Sequence, residues 1–164
     1  MIKAVFSWIA TLWICWVFLA SLPYKFARHP DTQHIFGTIG RWISDTIAVP
    51  LGSLFTSIGA YVIGSAELLS CLVLLAPAAI ILFRKLNNGY YDGIRARWHA
   101  MGGLMAAILM SGAVFFHLFT PLGIEVLHEG KSDGGSLFYA AVSILVLGIT
   151  LFVINITGKT AAHE

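Results

Sequence analysis

The stretch LFTSIGAYVIGSAELLSCLVLLAPAAIILF, residues 54–83, decides what kind of protein this is, because Glu67 is its one charged side chain. A transmembrane helix needs about 20 mainly apolar residues to cross a hydrocarbon layer of about 30 Å. Lipid offers no partner for an open backbone, so such a run must close its hydrogen bonds internally as a helix. The span is placed at 56–83 and is stopped by Arg84-Lys85. Working outward, a span at 4–22 ends at Pro23, a third at 98–119 ends at Thr120-Pro121, and a fourth covers 137–156. The first has Lys3 in front of it like a signal peptide. Its length, its tryptophans Trp8, Trp13 and Trp16, and its poor cleavage site read instead as a retained helix.

Composition supports this class. Of 164 residues, 58% are hydrophobic and 11% charged, against about 25% charged in an ordinary soluble domain. So small a soluble chain could not bury that much apolar surface. The expected architecture is all-α: one membrane domain, 1–164, forming a four-helix antiparallel bundle in contact with the lipid bilayer. A net charge of +2, with its basic residues scattered, gives no nucleic-acid footprint. Cys15 and Cys71 lie in apolar runs without C-x-x-C spacing, and they read as small hydrophobes rather than a dithiol or zinc site. Small residues (Gly59, Gly64, Ser65, Gly102, Gly103, Ala106, Gly112) mark expected helix contacts, where backbones approach closely. The tail 158–164 reads as disordered.

Charge placement sets the expected orientation. Lys3, Arg84, Lys85, Arg95, Arg97 and Lys159 fall on one side, with the central loop the densest; Lys25, Arg28, Arg41 and Lys131 fall on the other. Both termini are therefore expected in the cytoplasm. In the first external loop, Ile35, Phe36, Ile39, Trp42 and Ile43 recur at helical spacing after Asp31. This predicts an amphipathic helix over 31–44, lying at the outer surface or folded over the mouth of the bundle, with Trp42 at headgroup depth.

Ionisable groups inside spans carry the functional information, since burying one costs at least a few kcal/mol. Glu67 must face the interior, either protonated or paired. Packing, a proton relay, a ligand contact and metal ligation remain open for it. His117, near the outer end of the third span, can pack, bind metal or titrate. The following loop holds Glu125, His128, Glu129 and Asp133. With His117 they suggest an external site, and His117, Glu125, His128 and Asp133 are its weak metal candidates, although the spacing matches no standard loop. Alternatively Glu125 or Asp133 pairs with Lys25, Arg28 or Arg41, or Asp133-Gly134-Gly135 is simply a turn. His99 is expected at an exposed helix start, and His29 and His34 border the surface helix. No P-loop, G-x-S-x-G, H-E-x-x-H or C-x-x-C-H motif occurs.

Several strings, in order, resemble a known family. Pro23-Tyr24-Lys25-Phe26, Asp31-Thr32, Ile35-Phe36-Gly37-Thr38-Ile39-Gly40 and Glu67-Leu68-Leu69 look like the DoxX/DoxD-like family of small bacterial membrane proteins. So do Phe116-His117-Leu118, Leu122-Gly123-Ile124-Glu125-Val126, Asp133-Gly134-Gly135 and Leu137-Phe138. The likeness covers about Ser21 to Phe138. Family members often carry a glycine within Phe26–Asp31 and a glutamate at the acidic place, where this chain has Ala27-Arg28-His29-Pro30-Asp31. The resemblance implies a four-helix membrane fold and, in some members, association with quinone-linked respiratory or sulfur-oxidising complexes. It marks Lys25, Glu67, His117, Glu125 and Asp133 as motif residues without settling a role for any.

Three functions follow as expectations. The first is an accessory subunit of a quinone-linked redox complex in a bacterial cytoplasmic membrane, with other membrane subunits as partners and no covalent cofactor. The second is a small proton- or ion-coupled transporter using Glu67. The third is a structural or chaperone-like membrane partner. Homo-oligomerisation stays open, and no independent catalytic constellation is visible.

Overall fold

In the computed structural model, which describes residues 2–83 and 88–157, the chain forms five helices. They are α1 (Ile2–Phe26), α2 (Pro30–Thr46), α3 (Val49–Phe83), α4 (Asn88–Phe119) and α5 (Ser136–Ile156). A hairpin, β1 (Leu127–His128) and β2 (Lys131–Ser132), precedes α5, and Leu127 pairs with Ser132 and His128 with Lys131. Four helices are long and apolar enough to cross a membrane: α1, α3, the Gly93–Phe119 part of α4, and α5. The protein is an all-α, multi-pass membrane bundle. Its outward faces carry large apolar side chains such as Trp16, Leu72, Ile108 and Val146, as lipid contact requires. The Arg84-Lys85 stop and the tail 158–164 lie outside the described residues.

The core runs along the bundle axis through Ile14, Phe18, Leu74, Ala106, Ile144 and Leu151, each at most 1% exposed. Lipid tails are as apolar as these side chains, so close packing rather than burial holds such helices together. Gly103 of α4 meets Gly148 of α5: a Cβ added to Gly103 would lie 2.8 Å from the Gly148 carbonyl oxygen. Gly102 takes the Leu74 side chain of α3 in the same way, and Gly59 takes the Phe36 ring. Two of the expected contact positions turn out differently. Ser65 is exposed, and no atom lies within 4 Å of a Cβ built on Gly112.

α2 is folded over the mouth of the bundle. A tight turn at Ile47 and Ala48, both donating to the Ile43 carbonyl, sends the chain into α3. Gly40 and Gly52 let α2 and α3 touch backbone to backbone. α3 has 35 residues, about 50 Å at 1.5 Å per residue, well beyond one hydrocarbon thickness, and the early part of the helix supports α2. Ile39 and Ile43 pack on Leu122 and Val126, and Trp42 is seated against Phe115 and Phe116 at centroid distances of 6.2 and 6.4 Å. We call this the capped end.

Three helix ends differ from expectation, the first being α3, which begins at Val49 rather than at 56. α1 continues through Pro23 to Phe26, although the proline there leaves the Leu19 carbonyl without its usual N–H donor. The last turn closes as His29 N–H donates to Tyr24 O (2.9 Å), with Arg28 in the left-handed region at φ 52°. This is a Schellman-type stop in which glycine is the usual residue. α4 begins ten residues before the expected Trp98, at Asn88. That places Arg95 on the helix rather than in a loop, 6% exposed, with Nη1 donating to Asn155 Oδ1 at 3.3 Å.

Candidate functional site

α1 ends on an extra turn because it does not stop at Pro23, and that turn carries Lys25 back into the bundle. Its Nζ donates to both oxygens of Glu67, at 2.9 Å to Oε1 and 2.7 Å to Oε2. Ser21, one turn earlier on α1, joins them: Lys25 Nζ donates to Ser21 Oγ at 2.8 Å. The Ser21 hydroxyl proton has two acceptors in reach, Phe18 O at 2.7 Å and Glu67 Oε2 at 3.0 Å. The Lys25 and Glu67 side chains are 15% and 4% exposed. Two opposite charges at this depth neutralise one another, where either alone would be strongly unfavourable. Glu67 is thus paired, and Lys25 pairs with it rather than with Glu125 or Asp133.

The pair forms part of the wall of a cavity of about 550 Å³ to which all five helices contribute. α2 roofs it with Thr32, Ile35, Phe36 and Ile39, and Phe116 and Leu122 complete that side. The remaining walls are mostly apolar, among them Val17, Phe18, Ile63, Met110, Ala113 and Ile144. Gly112 lies here too, which explains why nothing fills the space beside it. His117 also lines the cavity, as do Tyr24, Asp31, Thr32, Asp133 and Ser136 towards the cap. The His117 Nδ1 lies 2.6 Å from Gly123 O; a carbonyl only accepts, so Nδ1 carries the proton and, in the neutral ring, Nε2 is an acceptor.

The other expected site residues do other work. Asp133 borders the cavity, but its carboxylate caps α5. Oδ1 accepts from Val126 N–H (2.8 Å) and Gly135 N–H (3.0 Å), and Oδ2 from Leu137 N–H (3.0 Å) and Ser136 Oγ–H (3.3 Å). Partial burial pushes this carboxyl up, yet those donors outweigh it and hold Asp133 below its ordinary value. Glu125 is exposed, accepts from Ser132 Oγ–H at 2.8 Å, and does not line the cavity. His128 turns to Asp31, Nδ1 to Oδ1 at 2.7 Å, and stacks on His34 at 4.6 Å. That hydrogen bond, with His29 close by, holds Asp31 below the usual carboxylate value. His117, Glu125, His128 and Asp133 are therefore not brought together. Among the described residues no group of three or more His, Cys, Asp or Glu side chains is placed to hold a metal ion.

Three findings lay beyond the sequence reading. Ser21 was not singled out; its one signal was a small polar residue one turn before Lys25. His99, expected to be exposed, is fully buried against the edge of Trp8, with ring centroids 4.8 Å apart. Cys15 and Cys71, distant in sequence, are both buried free thiols in the same core cluster. No family model, curated protein or solved structure matches the chain.

Proposed function

We propose that the chain binds a lipophilic carrier of the quinone class in this cavity, as an accessory subunit of a quinone-linked redox assembly. The observation that carries the reading is a mostly apolar cavity with the Lys25–Ser21–Glu67 cluster and His117 in its lining. Ligand sites typically enclose about 300–1,000 Å³, mostly apolar with a few fixed polar groups, and about 550 Å³ falls in that range. A quinone carbonyl accepts from the Lys25 ammonium or the Ser21 hydroxyl. The hydroxyl of the reduced quinol donates to Glu67 or to His117 Nε2. Both redox forms thus find partners among side chains already in place.

The likeness to the DoxX/DoxD-like family supports the assembly part of the reading and a bacterial cytoplasmic membrane as its setting. Basic residues at the end opposite the cap support a cytoplasmic position for both termini. Gentle purification from the native membrane, followed by mass spectrometry of co-purifying polypeptides and lipids, tests the whole reading. A bound quinone with a stoichiometric oxidoreductase subunit is expected. A preparation free of both would sink it.

A further inference from the structure

Five residues line the cavity and are exposed as well: Ala20 and Tyr24 on α1, Asp31 at the start of α2, and Ser136 and Leu137 at the start of α5. A side chain that borders an interior space and still reaches the outside stands at an opening. None of the described lining residues of α3 or α4 is exposed, so the opening lies between α1 and α5. Ala20 decides this. An alanine at a helix contact lets two backbones close on one another and is buried by doing so, whereas Ala20 stays open.

The two helices are antiparallel and are tied to each other away from the cap. Asn155 Nδ2 donates to Ser7 Oγ at 3.1 Å, and Trp13 Nε1 donates to Ser143 Oγ at 3.1 Å. One and two turns further towards the cap, Val17 and Ala20 on α1 and Ala140 and Leu137 on α5 line the cavity instead. The other seams at this level are shut. Lys25 and Glu67 pin α1 to α3, Phe55 of α3 stacks near Phe116 of α4 at 5.6 Å, and Met110 of α4 shares the core with Ala141 and Ile144 of α5. The gap faces lipid, since α1 and α5 are both membrane-spanning and the neighbouring Trp16 and Leu19 are exposed. Asp31 and Ser136 form its polar edge on the capped side.

We propose that this gap is an entrance from the lipid, and that the ligand is a quinone with a long polyprenyl tail. The ring sits inside, and the tail leaves between Ala20 and Leu137 to lie along α1 and α5. The proposal rests on the quinone reading and narrows it to the membrane-dissolved members of that class. A cavity of about 550 Å³ takes a drug-sized molecule. A ring and the first part of its chain fill it, and a tail of many prenyl units has to continue elsewhere. Water would be a poor place for that apolar length; a window into lipid leaves it where it already dissolves. Ser21 and Lys25 follow Ala20 and Tyr24 in the chain and line the same wall. A ring passing the window therefore meets the Ser21 hydroxyl and the Lys25 ammonium as soon as it is inside.

The test places the full chain in lipid nanodiscs with a benzoquinone whose polyprenyl tail carries a diazirine several units from the ring. After illumination, mass spectrometry maps the labelled peptides. Labels are expected on α1 near Trp16 to Tyr24 and on α5 near Leu137 to Ser143, and excess unlabelled long-tailed quinone should remove them. Labels concentrated on α3 and α4, or labels that the competitor leaves in place, overturn the proposal. Ala140→Trp, which plugs the gap, should weaken binding of the long-tailed quinone by about tenfold or more while a short-tailed benzoquinone keeps its affinity. Ile108→Trp, on the outward face of α4 at 62% exposed, should match wild type with both. Circular dichroism and gel filtration identify any variant that fails to fold, and the labelling map of wild type needs no variant. Unchanged long-tailed binding in a folded Ala140→Trp overturns the proposal. If the short-tailed benzoquinone binds but the tail labels α3 and α4, the entrance falls and the ligand reading stands. If neither quinone binds saturably, the ligand reading falls and takes the entrance with it.

Discussion

Lys25 and Glu67, 42 residues apart in the chain, meet inside the membrane bundle with Nζ 2.7 Å from Oε2. The contact ties the last turn of α1 to the middle of α3 and sets the polar character of the cavity wall. Breaking a buried pair by removing one partner leaves an uncompensated charge and typically costs about 3–5 kcal/mol. Lys25→Met and Glu67→Gln are each expected to lose stability on that scale in detergent unfolding. The double variant should recover most of the loss, because it leaves no charge behind. Additive losses in the double variant would mean that the two side chains are not energetically coupled.

A second prediction concerns the turn between α1 and α2. Arg28 adopts φ 52°, a conformation that costs a non-glycine residue roughly 1–2 kcal/mol. Its side chain appears in none of the capping bonds; Gln33 Nε2 reaches only its carbonyl oxygen, at 2.7 Å. Arg28→Gly is therefore expected to raise the midpoint of thermal unfolding, and Arg28→Val to lower it.

Legibility in the sequence was uneven, for physical reasons. Four spans and the roof helix were readable because hydrophobic length and amphipathic spacing are local properties. Pro23 misled, because a proline commonly ends a helix, yet α1 closes a further turn beyond it through His29 N–H to Tyr24 O. The partner of Glu67 was hidden because Lys25 belongs to another helix, and no local pattern says that α1 turns once more. His99 was misjudged for a related reason. The basic residues around it suggested a loop, whereas Arg95 folds inward to Asn155 and carries the helix with it. Glu125 and Asp133 looked alike as acids, yet one is exposed and the other is used up as a helix cap.

Asp133 gives a pH prediction. Its carboxyl is held below its unfolded value, about 3.9 for an aspartate, by the donors at the start of α5. A depressed carboxyl adds stability that is fully present above the unfolded value and is lost as pH falls through the folded one. Wild type should therefore lose stability below about pH 4, and Asp133→Asn should show a shallower loss over that window. Asp133→Ala at neutral pH should cost about 1 kcal/mol, as for other lost helix caps. An acid limb identical in wild type and Asp133→Asn would show that the carboxylate does not hold the α5 start.

Helix crossing supplies a further contrast. Gly103→Leu drives a side chain into the Gly148 backbone and is expected to disrupt the bundle, read as lost helical signal or aggregation on gel filtration. Gly112→Leu, in the same helix, enters open space and should leave fold and stability near wild type. Equal damage from both would contradict the placement of the cavity beside Gly112.

The central claim is that the roofed cavity holds a quinone, and saturable binding of a short-tailed benzoquinone to the chain in lipid nanodiscs tests it most directly. Wild type should bind. Gly112→Leu, which fills the cavity, should weaken binding by at least about tenfold, or 1.4 kcal/mol, while Gly37→Ala should match wild type. Absent saturable binding in wild type, or unchanged binding in Gly112→Leu, would contradict the account.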